Sequence, residues 1–67
     1  MDLNNEKYVD VEAVTENGTY AAVASIDVVR LMMDADIVTI RGTSITVGEV
    51  EVTDNGVIRF HGNVTNL

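Results

Sequence analysis

Two runs of alternating apolar and polar residues flank an Asn-Gly pair near the start of the chain, at residues 8–14 and 19–24. Asn-Gly between alternating runs is a strong signal for a β-hairpin. A three-residue loop over 16–18, with Gly18 in the left-handed region, predicts a half-buried hairpin with one face of Val and Ala. The predicted cross-strand pairs are Val11 with Val23 and Ala13 with Ala21. The opposite face is predicted to carry Asp10, Glu12, Val14 and Tyr20.

The periodicity changes after Ser25. On a helical wheel of residues 26–34, the charged side chains of Asp27, Arg30 and Asp34 share one narrow sector and apolar side chains occupy the rest. Ser25 suits the N-cap, and Asp27 places a negative charge in the first turn, where the helix dipole favours it. The pattern predicts a short helix at about residues 26–34. Apolar residues also alternate from 29 to 35, so an all-β small sheet or barrel is the alternative.

The second half of the chain predicts a three-stranded antiparallel meander. Residues 37–41 and 44–47 flank Gly42-Thr43, and a glycine at the first position of a two-residue loop suits a type II′ turn. The predicted pairs of this first meander hairpin are Ile40 with Ile45 and Val38 with Val47.

Asp54-Asn55-Gly56 predicts the last turn of the meander as a three-residue loop with Gly56 left-handed. This loop matches both faces in chemistry, pairing Val52 with Ile58, Val50 with Phe60, Glu51 with Arg59 and Glu49 with His61. Apolar residues occupy odd positions at 45 and 47 and even positions at 50 and 52, which predicts a β-bulge near Gly48-Glu49. The remaining predicted pairs are Val47 with Val64 and Gly48 with Gly62.

These elements predict a single α+β domain over residues 1–67, consisting of a β-hairpin, a short helix and the bulged meander. Residues 1–7 are predicted to form a loose N-terminal tail. A chain of 67 residues buries only about 60% of the surface that its unfolded form exposes. The core is therefore thin, and self-association is a common aid for a small domain without disulfides.

The composition limits the partners. Eleven Asp and Glu oppose four Lys and Arg, for a formal net charge of -7, and this field repels nucleic-acid phosphates. The absence of cysteine suits a reducing compartment. The polar start of the chain and the lack of an apolar run of about 20 residues argue against export or membrane insertion. We expect a cytoplasmic protein with no direct nucleic-acid or membrane partner.

Candidate chemistry is sparse. His61 is the only histidine, and its predicted neighbour Glu49 suggests a surface pair, since catalysis needs a nucleophile or a second orienting group. Asp34 and Asp36 lie two residues apart without the glycine-centred pattern of a calcium loop. The glycines are dispersed and form no phosphate-binding loop. The sequence predicts no catalytic, cofactor or metal site, and no enzyme.

The helix is the most informative feature, because its apolar arc of about 220° is wider than a small sheet covers. The residues predicted to face a partner are Val28, Leu31, Met32 and Met33. The competing interpretation is that the N-terminal hairpin folds over the helix and completes the core. We expect a non-enzymatic interaction or accessory module that self-associates. The alternatives are an acidic inhibitor or polyanion mimic that binds a basic nucleic-acid site on a larger protein, and a minimal enzyme or ligand carrier.

Overall fold

A computed structural model describes residues 7–65 of the chain. Its elements are β1 (Tyr8–Thr15), β2 (Gly18–Ser25), α1 (Ile26–Asp34), β3 (Ile37–Ile40), β4 (Thr43–Val52) and β5 (Ile58–Val64). Strands account for 63% of the structure, and the sheet is nearly closed. The fold is compatible with the α+β prediction and with its small-barrel alternative.

The strands form one five-stranded sheet in the order β2-β1-β5-β4-β3. All neighbours pair antiparallel except β1 and β5, which run parallel and place Val11 beside Ile58 and Ala13 beside Phe60. The N-terminal hairpin and the C-terminal meander therefore join through their two adjacent strands. α1 connects β2 to β3, the two outermost strands of the sheet.

The register of the first hairpin differs from the prediction. Val11 pairs with Ala22, and Ala13 pairs with Tyr20. The loop holds only Glu16 and Asn17, because the Thr15 hydroxyl donates to the Gly18 carbonyl at 2.9 Å and accepts from the Asn17 amide at 3.0 Å. A shift of one residue moves every side chain of β2 to the face opposite the predicted one. Tyr20 therefore packs against the core, and Val23 is 63% exposed.

The first hairpin of the meander also turns at a different pair. Arg41 and Gly42 form the two-residue loop, with φ of 52° and 79°, so both residues are left-handed as a type I′ turn requires. The predicted Gly42-Thr43 turn is wrong by one residue. Ile40 pairs with Thr43, and Val38 pairs with Ile45. Because the pairing shifts by two residues, the isoleucines keep the face that was predicted for them.

The last hairpin follows the prediction. Val52 pairs with Ile58, Val50 with Phe60, Glu51 with Arg59 and Glu49 with His61. Gly56 has a φ of 85°, and the hydroxyl of Thr53 accepts from the Val57 amide at 3.1 Å across the loop.

The bulge predicted near Gly48-Glu49 is confirmed, with the register shift between Val47 and Glu49. Gly48 is the additional residue on β4, so Val47 pairs with Gly62 and Ile45 pairs with Val64. The pairs predicted beyond the bulge, Val47 with Val64 and Gly48 with Gly62, are therefore wrong. Because the additional residue is on β4, the partner of Val47 lies closer to the start of β5 than predicted.

The helix spans the predicted residues, Ile26–Asp34. The Ser25 hydroxyl accepts from the Val28 amide at 3.3 Å and caps the first turn, where Asp27 also lies. The helix ends at Ala35, whose extended ψ of 150° leads the chain into β3.

The core lies on the concave side of the sheet and under α1. Its fully buried apolar members are Val11, Ala13, Val29, Val38, Ile40, Ile45 and Phe60. Phe60 and Ile45 are its largest side chains with no exposed surface. The other five members come from β1, α1 and β3, whereas β2 contributes only partly buried apolar side chains.

The predicted tail at 1–7 falls mainly outside the described residues. Within them, the Lys7 carbonyl accepts from the Ile26 amide at 2.9 Å, which ties the start of β1 to the start of α1. Through this bond, Lys7 follows on from the Tyr8–Ser25 pair of the β1–β2 ladder.

The close approach of the β4 and β5 backbones at the bulge can be tested at Gly62. A Cβ at Gly62 would overlap the carbonyl group of Thr46, which belongs to the facing backbone. We expect Gly62→Ala to lower the free energy of unfolding by at least about 2 kcal/mol, as overpacking against fixed atoms does. Urea unfolding followed by circular dichroism measures it.

Gly48→Ala is the matched control. Its Cβ would lie 3.6 Å from the His61 carbonyl oxygen, an ordinary contact, so stability should change by less than about 1 kcal/mol. Equal losses for the two variants would contradict this description of the bulge.

Candidate functional site

The outer surface of α1 is the main apolar surface that the described residues leave exposed. Leu31 is 73% exposed, Val28 47% and Met33 42%. These are three of the four residues predicted to face a partner. Val29, on the opposite side of the helix, is buried in the core.

Met32 occupies a different position from the other three. It is partly buried and packs against the core cluster beside Val29. At about 100° per residue, Leu31 and Val28 lie on one side of this buried strip and Met33 lies on the other. The structure therefore brings Leu31 and Val28 together and separates Met33 from them. We call Val28 and Leu31 the helix ridge.

The charges of α1 do not shield the helix ridge. Arg30 and Asp27 approach each other only at 4.0 Å, and both side chains are largely exposed. An exposed pair at this distance contributes little stability. Within the helix ridge, Leu31 lies between Val28 and this charged sector, and its 73% exposed side chain is available to another molecule.

A second surface lies on the convex side of the sheet, where β1, β5 and β4 run side by side. Their convex-facing acids are Asp10, Glu12, Glu49 and Glu51. Arg59 lies between them, with its Nε 2.9 Å from Glu12 Oε1 and one terminal nitrogen 3.8 Å from Glu51 Oε1. We call these four acids the acidic face.

His61 belongs to the acidic face, but its contact differs from the predicted one. Glu49 is its cross-strand neighbour, yet the His61 Nε2 atom lies 2.8 Å from Glu51 Oε1, diagonally across β4. The hydrogen bond from His61 lowers the pKa of Glu51 below its ordinary value of 4.5. Partial desolvation opposes this shift, and the charge of Arg59 adds to it.

The chemistry of the acidic face is that of a surface ion-pair row. Arg59 and His61 share Glu51, and among residues 7–65 no hydroxyl group hydrogen-bonds to the histidine. Nor does any group of three or more His, Asp or Glu side chains in this range have the arrangement to hold a metal ion. Asp34 and Asp36, considered from the sequence, lie exposed at the end of α1.

The acidic face was missed as a unit because its two halves come from distant parts of the chain. The sequence predicted Glu51 beside Arg59, whereas the contact of Arg59 with Glu12 depends on the parallel pairing of β1 with β5. The available signal was weak: Glu12 and Arg59 are opposite charges at convex positions of two strands that the sequence left unpaired.

The chain matches no protein-family model, and neither a curated protein nor a solved structure is significantly similar to it. In the part of the chain that the structure describes, α1 is too short to cross a bilayer and no longer apolar helix accompanies it. The function therefore has to be inferred from the two surfaces.

The lowered pKa of Glu51 predicts a contribution to acid sensitivity. A carboxyl group whose pKa is depressed by folding stabilises the protein above its unfolded pKa, and this contribution is lost as the pH falls through the folded pKa. We expect the wild type to lose stability more steeply than Glu51→Gln as the pH falls below about 4.5. Urea unfolding at several values between about pH 6 and pH 3 measures the slope.

Glu49→Gln is the control, because it removes an equal charge from the same strand and leaves the His61 to Glu51 hydrogen bond in place. Its slope should stay close to that of the wild type. If the two variants flatten the curve equally, general charge repulsion and not the His61 contact determines the acid sensitivity.

Proposed function

We propose that the protein is a small non-enzymatic interaction or accessory module that associates with itself through the outer surface of α1. The observation that carries the proposal is the helix ridge, where Leu31 is 73% and Val28 47% exposed on a rigid, capped helix. Exposed apolar side chains grouped on one element are typical of protein-binding surfaces.

The thin core supports self-association as the use of this surface. Only seven apolar residues are buried among residues 7–65, and Phe60 is the only aromatic side chain among them. Small domains of this kind often gain stability by association. A contact at the ridge would remove apolar surface from water at about 25 cal/mol per Å².

Leu31→Lys is the direct test. Burying a leucine contributes about 1.5–3 kcal/mol, so the variant should weaken the self-association constant by at least about tenfold. Sedimentation velocity over a concentration series measures the effect. Leu31 is a better probe than the Met32-Met33 pair, because Met32 packs against the core and its replacement would also destabilise the fold.

The matched control is Val52→Lys, which makes the same charge change at a valine that is 62% exposed on β4. It should leave self-association unchanged. Equal effects of Leu31→Lys and Val52→Lys would show that the change in net charge, and not the position on α1, weakens self-association. A wild type that is monomeric at all concentrations would overturn the proposal.

A second candidate function is an acidic inhibitor or polyanion mimic that binds a basic protein. The acidic face favours it, because Asp10, Glu12, Glu49 and Glu51 share one surface and outnumber the two arginines beside them, Arg59 and Arg41. Four carboxylates on a rigid sheet present regularly spaced negative charge, which is what a phosphate-binding surface recognises.

Binding to a lysine-rich peptide tests the second candidate. The affinity should fall steeply between about 50 and 300 mM salt, because contacts between exposed charges are screened. Replacing Asp10 and Glu49 by their amides should weaken binding more than the same change at Asp27 and Asp34, which removes equal charge from α1. Fluorescence anisotropy measures both effects, and salt-independent binding would exclude this mode.

A further inference from the structure

We infer that the free edge of β2 pairs with β2 of a second copy, so that two sheets join in one continuous sheet. The inference deepens the self-association proposed above and rests on it. It adds to the side-chain contact at α1 a second contact, made by backbone groups at the sheet edge.

The backbone groups on the free edge follow from the hairpin register. The Ile26 amide donates to the Lys7 carbonyl, which places this pair among the hydrogen-bonded pairs of the β1–β2 ladder. Hydrogen-bonded and non-hydrogen-bonded pairs alternate along an antiparallel ladder. Ala22 and Ala24 are therefore bonded to β1, and the amides and carbonyls of Ala21 and Val23, with those of Thr19, point away from it.

Within residues 7–65 these outward groups have no backbone partner. β2 is an end strand, and its only ladder is the one with β1. The sheet curls so that β3 approaches β2, but no backbone hydrogen bond joins the two strands. An unpaired row of this kind recognises an extended strand.

β2 also lacks the usual protection of an edge strand. It is eight residues long, pairs with β1 in unbroken register, and contains neither proline nor a charged side chain. β3, at the other end of the sheet, is only four residues long and adjoins Asp36 and Arg41. Short length and nearby charge are common ways of blocking strand addition. Of the two edges, only β2 lacks both of these protections within its own sequence.

The charge distribution selects a second copy as the occupant. Two molecules of net charge -7 repel each other except where charge is locally absent. The longest stretch without Asp, Glu, Lys or Arg lies between Glu16 and Asp27, and β2 fills most of it. In a contact centred on β2, therefore, no charged side chain lies on either of the two paired strands, and the nearest carboxylates, Asp10 and Glu12, lie one strand away on β1.

β2 is also self-complementary. A two-fold axis at Ala21 would pair this residue with Ala21 of the second copy and Val23 with Thr19 of the second copy. In such an isologous contact the outward amides and carbonyls of both strands are satisfied together. Alanine at 21, 22 and 24 leaves room for the strands to approach.

Arg41 restricts this contact. Its side chain projects from the β3–β4 turn and, with Ala21 and Val23, lines a shallow depression of about 490 Å³ beside β2. Asp10 and Glu12, the β1 neighbours of Val23 and Ala21, also line this depression. A second strand on β2 would have to displace Arg41, so this arginine opposes pairing without preventing it.

Three variants test the inference by sedimentation velocity. Val23→Lys places a charge on the edge and should weaken self-association by at least about tenfold. Arg41→Ala removes the obstructing side chain and should strengthen it by about threefold or more. Val52→Lys, the control of equal exposure on β4, should leave it unchanged.

Amide hydrogen exchange of the wild type, followed by NMR, locates the contact. We expect Ala21 and Val23 to exchange rapidly in dilute solution and slowly in concentrated solution, whereas Ala22 is protected in both. Protection of Ala21 and Val23 at every concentration would show that β2 closes onto β3 within one molecule, and would overturn the inference.

The failures of the two proposals are distinguishable. Self-association that Leu31→Lys weakens and Val23→Lys does not would leave the helix contact standing and overturn the edge contact. Self-association that Val23→Lys weakens and Leu31→Lys does not would support the edge contact and overturn the helix contact. A wild type that remains monomeric would overturn both, and binding of only a foreign extended peptide at β2 would overturn the choice of a second copy.

Discussion

The parallel pairing of β1 with β5 is the interaction on which the rest of the molecule depends. It joins a hairpin and a meander that have no other shared ladder. On the concave side it sets Ala13 beside Phe60, both with no exposed surface, at the centre of the core. On the convex side it sets Glu12 against Arg59, which in turn reaches Glu51 on β4. Both the core and the acidic face are consequences of this pairing.

The parts of the fold that could be predicted are those whose cause is local. Ser25 and Asp27 identify the start of α1 because capping and dipole effects act within one turn. The last hairpin is specified by Gly56 and by the match of chemistry on both faces. The switch of apolar residues from odd to even positions along β4 likewise locates the bulge at Gly48. Each of these signals depends only on residues that are close together in the chain.

The errors have two physical origins. The first loop is one residue shorter than predicted, because Thr15 hydrogen-bonds inside it, and the second turn lies one residue earlier, because Arg41 adopts a left-handed φ of 52°. Side-chain bonds and tolerated strain of this kind are not expressed in an apolar pattern. The β1–β5 pairing was not predicted because 47 residues separate Glu12 from Arg59, and no turn signal connects strands at that distance. The helix ridge could be predicted as apolar, but the inward position of Met32 depends on the placement of β1 and β2.

The distribution of charge follows from how so few residues build a core. β1 and β4 place one face on the core and carry carboxylates on the other, and β5 carries Arg59 and His61 there, whereas β2 carries no charged side chain. A strand of alanines adds little volume to the core, and it repels a neighbouring molecule least of all the long strands. The alanines that leave the core thin therefore also make β2 the long strand with the least electrostatic repulsion toward another molecule. In an acidic protein of this size, the weakest packing and the easiest approach for a second copy lie on the same side of the sheet.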